Sequence, residues 1–331
     1  MERKEARVAR LLVVATSDGV RVLQREREGY DEVAGGLTGR RVTSVTAGKY
    51  AILAGTPDGV CVSRDKGETW QEPNEGPAEA HVRWLAYHLN DPWLAFAGTE
   101  PAAIFVSSDG AETWRECPEV AELRDVNGWH LPYSPEAGCV RGFAFHGSRG
   151  YAAVEQGGLL RTDDGGRSWR LVGGSTGDPH APVLGSRIHS DVHSVTVHPS
   201  SPDLVYAPTG GGLYVSEDGG ETWREVYECY CRAVWVDPDD PNHMIFGPAD
   251  GVDSNGRIER TTDGGDSWER ASQGLEVPWS RHMVERFTQV GDELMGVLSN
   301  GGLIAAPLET LRWRRVLDHL EGVAAVSVLK A

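Results

Sequence analysis

Long apolar runs are missing from this chain, as are lysine, paired cysteines and any surplus of positive charge. The N-terminal stretch MERKEARVARLLVVATSDG holds only LLVVA between polar residues, and no other run reaches membrane length. That argues against a signal peptide and a membrane partner, and makes a cytoplasmic location the expectation. The five cysteines, Cys61, Cys117, Cys139, Cys229 and Cys231, are odd in number and show no paired spacing. They do not form a disulfide framework, and CYC is too tight for a zinc knuckle. Basic residues number 32 against 49 acidic ones, for a formal net charge of −17. Nucleic acid needs a cationic face and is excluded as a non-specific partner. Only Lys4, Lys49, Lys66 and Lys330 are lysines, so almost all cations are guanidinium groups, whose planar fork suits carboxylates and phosphates. A GC-rich genome or salt adaptation would give the same bias.

What the chain has in quantity is glycine, at 41 residues, and tryptophan, at 11. Both concentrate in a repeated octet: SRDKGETW (63–70), SSDGAETW (107–114), TDDGGRSW (162–169), SEDGGETW (216–223) and TTDGGDSW (261–268). GVRVLQREREGY (19–30) and GLIAAPLETLRW (302–313) fit the same frame in degenerate form. The aromatic anchors are Tyr30, Trp70, Trp114, Trp169, Trp223, Trp268 and Trp313, at intervals of 40, 44, 55, 54, 45 and 45 residues. A period in the forties with short alternating segments marks propeller blades. VHSVTVHPSSPDLVYAPTGGGLYVSEDGGETWREV (192–226) reads as four strands separated by turns. The first repeat lacks its opening strand, and GVAAVSVLK (322–330) is an opening strand with nothing after it. The expected fold is therefore all-β: one seven-bladed propeller over residues 1–331, with four-stranded antiparallel blades. The C-terminal strand completes blade 1, and closure hides the sheet edges.

The pattern S/T-x-D-x-G-x-T/S-W resembles the Asp-box, or BNR repeat, of sialidases, sortilin-type receptors, xyloglucan hydrolases and photosystem II stability/assembly factors. That resemblance implies that the boxes are turns between third and fourth strands, on the face away from any site. Asp65, Asp109, Asp164, Asp218 and Asp263 are accordingly expected to be structural. One carboxylate per isolated turn also falls short of the six to eight oxygens calcium takes. Ala111 stands where the other boxes have a second glycine.

Function is then expected on the opposite face, where loops 115–138, 170–191 and 247–257 supply the extra length. Aligning VRWLAYH, VRGFAFH, VHSVTVH and CRAVWVD puts Arg83, Arg141, His193 and Arg232 at one position, broken by Thr43 and Ala324, with Arg286 a further candidate. These residues would either form a well for an anion or pair with loop carboxylates. With Arg281, His282, Trp129 and His130 they make up the expected ligand site. Tyr133 and Trp279 lie in the same loops. The expected ligand is an anionic small molecule, a sugar acid or an acidic peptide, held by a binding or assembly module. The alternative is a carbohydrate-active enzyme, hydrolase or uronate lyase, with His193, Tyr230, Glu228 and Asp191 as catalytic candidates. The sialidase branch fits poorly, since only SRIHSD (186–191) approaches its arginine motif. HSDVH places His189, Asp191 and His193 at alternate positions, so with His130 or His282 they form a possible divalent-metal set. No cofactor is expected, because zinc signatures are normally sharper. His88, His146 and His198, at inner-strand ends, read as structural.

Overall fold

The structure, a computed structural model, describes residues 10–26, 29–77, 80–134, 138–317, 320 and 322–330. Residues 1–9 and 135–137, part of two segments read above from sequence, lie outside the described residues. Seven antiparallel sheets follow one another along the chain and close into a ring. Closure is made as expected: strand Ala325–Lys330 pairs with Arg10–Thr16, which continues into Gly19–Arg25 and Tyr30–Gly36. Among the described residues no helix is long and apolar enough to cross a membrane.

Six blades have four strands, but blade 2 has three (Ser44–Ala47, Ile52–Thr56 and Gly59–Ser63), its fourth reduced to a Val62–Gln71 bridge. Pro73, two residues on, has no N–H to continue a ladder. In blade 5 the expected inner strand over 192–198 shrinks to Thr196–Val197 plus a Val192–Thr209 bridge. Pro208 in the neighbouring strand likewise offers a carbonyl, which His193 N–H reaches at 2.9 Å, but no donor in return. The loop over 115–138 is not irregular throughout, since it holds a helix at Pro118–Asn127. Pro118 sits in its first turn with Glu119, and Gly128, in the left-handed conformation at φ 64°, ends it.

The octets lie between third and fourth strands. In blade 5 Ser216 Oγ donates to Asp218 Oδ1 and accepts from Gly220 N–H, both at 2.8 Å. Asp218 also accepts from Thr222 N–H (2.8 Å) and Thr222 Oγ1 (2.6 Å). The same bonds recur at Asp65, Asp109, Asp164 and Asp263. Each carboxylate is thus spent inside its own turn, which favours frame over calcium. The following tryptophan fills the seam with the preceding blade. A Cβ on Gly36 would lie 2.4 Å from Trp70, and one on Gly174 would lie 2.5 Å from Trp223. On the same face His88, His146 and His198 donate through Nε2 to the carbonyls of Gly147, Pro199 and Asp237 in the next blade.

These turns carry a pH signature. Hydrogen bonds from Thr69 hold the Asp65 carboxyl down to about 2. At Asp164 burial pushes upward, but the bonds from Ser168 and Thr162 outweigh it and again leave about 2. A carboxylate whose folded value is depressed stabilises the fold above its unfolded value, and that stabilisation is lost as pH falls towards the folded one. Urea-unfolding stability is therefore expected to decline between pH 4 and pH 2. Asp164→Asn should make that decline shallower, measured by tryptophan fluorescence across the same pH series.

Candidate functional site

The inner strands of four blades break register at one place. The breaks fall between Val82 and Trp84, Val140 and Gly142, Cys231 and Val234, and Val284 and Arg286. A bulge re-aims the extra side chain. Here those residues are Arg83, Arg141, Arg232 and, in blade 7, Glu285. The equivalent position of blade 7 is thus an acid, with Arg286 its neighbour, which corrects the placement of Arg286 in the arginine series. Thr43 and Ala324 occupy the position in blades 2 and 1.

These residues surround a cavity of about 720 Å³ at the mouth of the central channel. Its charged lining is Arg41, Arg83, Arg141, Arg232 and Arg286 against Glu155 and Glu285, with His81 and Tyr133 beside them. Several guanidinium groups pair with acids. Arg83 bonds Glu100, Arg141 bonds Glu155 at 2.9 Å and Glu285 at 3.2 Å, and Arg232 bonds Glu285. Glu155 also accepts from Tyr133 Oη at 2.6 Å. Burial pushes the Glu155 and Glu285 carboxyls up, but adjacent guanidinium groups, chiefly Arg141 for Glu155 and Arg232 for Glu285, hold both below the usual range.

Arg286 lies across the channel. Its Nη2 donates to the carbonyls of Arg141 (2.7 Å) and His193 (3.1 Å), and its Nη1 to those of Glu285 (2.9 Å) and Arg232 (3.3 Å). It also stands 4.6 Å over the Trp84 ring. One fork therefore ties four blades together, three of them through bulged residues, and touches a fifth. Burial, with Arg141 and Arg232 adding like charge, pulls it down to about 9.

His193 does not line the cavity. It is fully buried, with Nδ1 2.7 Å from the Cys231 carbonyl and Nε2 3.1 Å from Asp191 Oδ2 and 3.3 Å from Tyr230 Oη. Tyr230 in turn accepts from Arg232 Nη2 at 3.2 Å. The GGG turn makes room for this group: a Cβ on Gly210 would lie 2.4 Å from Asp191 Oδ2, and one on Gly211 2.6 Å from the His189 ring. Burial pushes the His189 imidazole below its ordinary value, against the pull of Asp191. The other expected site residues stand apart from the cavity. Trp129 is 2% exposed, in the core beneath its loop, its indole N–H donating to Gly177. His130 lies tilted against His180 at 5.1 Å, and His282 stacks on Trp279 at 4.8 Å. Arg281 and Glu228 are exposed outside the lining. The five-residue metal set is accordingly not assembled. Sequence reasoning missed Glu155, Glu285, Glu100 and Arg41. Glu100 and Glu155 each end a second strand directly opposite the start of an inner strand, His81 and Cys139 respectively. A comparison down the second-strand ends would have found them.

The chain is a seven-bladed β-propeller. The family pattern described as BNR/Asp-box repeat matches residues 214–225. The chain is 31% identical over 155 residues to the oligoxyloglucan-reducing end-specific xyloglucanase of Emericella nidulans, a match covering 43% of this chain and 17% of that enzyme. Similar solved structures include an ancestral GH74 enzyme (TM-score 0.62, 18% identity, 88% of this chain and 38% of that one). Another is YCF48 bound to D1 peptide (TM-score 0.59, 15% identity, 94% of this chain and 90% of that one). The chain thus spans well under half the length of the xyloglucanase and of the GH74 enzyme, and the structural likenesses speak to fold.

Proposed function

We propose that this propeller is a binding module whose central cavity takes a carboxylate-bearing ligand, either an acidic peptide or a sugar acid. The observation that carries this reading is the lining: five arginines face two glutamates in a chain of formal charge −17. Arg41 is exposed at the mouth and makes no ion pair among the described residues. Burial, with Arg141 and Arg232 nearby, disfavours the Arg286 charge, and an incoming anion would offset that. YCF48, a propeller of similar fold, is seen with a peptide bound.

Glycoside hydrolysis fits less well. Such enzymes need one carboxyl raised to act as acid, whereas both cavity carboxyls are depressed and tied to arginine. The test is a thermal-shift series with an acidic peptide, galacturonate and inorganic phosphate. Arg83→Met is expected to weaken the carboxylate response about tenfold or more, the worth of one charge-assisted bond. Arg281→Met should leave it unchanged. An undiminished response in Arg83→Met would overturn the reading.

A further inference from the structure

Beneath the cavity floor, Glu155, Asp191 and His193 offer ligand atoms that all lie within 4.8 Å of one another, and all three residues are buried. We propose that they form a divalent transition-metal site of the zinc or manganese class, separate from the anion reading above.

The chemistry of His193 supports this. A carbonyl only accepts, so Nδ1 carries the proton donated to Cys231, and Nε2 is the ring atom that faces Asp191. Nε2 and the Asp191 carboxylate at 3.1 Å need a cation between them, either a proton or a metal ion. Donation of the second ring N–H to a backbone carbonyl is the arrangement that orients metal-binding histidines. Asp191 supplies the independent sign. The residue is 9% exposed, and its buried Oδ1 has no hydrogen-bond partner among the described residues. Glu155 accepts from Tyr133, Arg141 and Cys139, which leaves lone-pair capacity for one more contact. Asp191 supplies carboxylate charge for a dication, Glu155 shares its own with Arg141, and nitrogen–oxygen sets at about 2.0–2.2 Å suit zinc. Because Glu155 lines the cavity, the ion has a route in from solvent.

The experiment uses full-length protein stripped with EDTA and titrated with cobalt(II) chloride as a spectroscopic probe, then with zinc chloride. The expected result is one equivalent of cobalt with visible d–d bands, displaced by zinc and abolished in Asp191→Asn. Tyr230→Phe should retain the stoichiometry. If Asp191→Asn does not fold, the wild-type titration decides by itself. No stoichiometric binding, or binding undiminished in folded Asp191→Asn, would overturn the site and leave a proton between His193 and Asp191. Arg83→Met should keep its cobalt equivalent whatever happens to its anion response, so the two readings fail separately.

Discussion

Arg286→Met is expected to destabilise the propeller by about 3 kcal/mol, since bonds from a charged donor contribute roughly 1.5–3 kcal/mol each and channel water recovers part of the loss. Four carbonyls from four blades converge on this guanidinium, and methionine fills the volume without donating to any of them. Arg286→Lys should recover only part of the loss, because a compact ammonium cannot span four acceptors as a planar fork does. The measurement is urea unfolding followed by far-ultraviolet circular dichroism. A loss within experimental error for Arg286→Met would mean that the channel does not depend on this side chain.

The seam tryptophans give the second large effect. Trp223 is 5% exposed and packs in a cluster with Tyr151, Val172 and Tyr214, its backbone N–H bonded to the Ser186 carbonyl at 2.9 Å. Trp223→Ala should cost about 3–5 kcal/mol, because the preceding blade cannot collapse into the space left. Trp268 is only half-buried, its ring tilted against Phe246 at 4.3 Å between ring centroids. Trp268→Ala is therefore expected to cost measurably less in the same unfolding assay. Equal losses at the two positions would show that the box tryptophans do not act through burial in the seam.

Blade number and ring closure were legible because the octet is tied to one turn geometry. Ser or Thr, Asp, Gly and Trp each satisfy a separate need there, so five copies keep register over most of the chain. Tyr30 and Trp313 hold the same seam without the box, and Tyr30 Oη donates to Glu293 at 3.2 Å. The cationic half of the site was also legible, since Arg83, Arg141 and Arg232 recur at one strand position. Its acidic half was not. Glu100 and Glu155 end second strands one residue past the position where Thr16, Thr56, Thr99 and Thr209 tie their turns through their hydroxyls, so the repeat does not mark them. Arg286 was placed one residue out of register because blade 7 lacks the box that anchors the alignment. His193 shares the position of the arginines but turns inward, since its short side chain bonds the Cys231 carbonyl of the next blade. No local pattern in the sequence announces that contact.

The central claim is that the channel mouth recognises a carboxylate through its arginines. Isothermal titration with an acidic peptide, free and then C-terminally amidated with its side-chain carboxylates esterified, tests it most directly at two salt concentrations. The account predicts saturable one-to-one binding of the free form, weakened by salt and lost when the carboxylates are masked. Equal binding of both forms, or no binding of either together with no response to galacturonate, would contradict it.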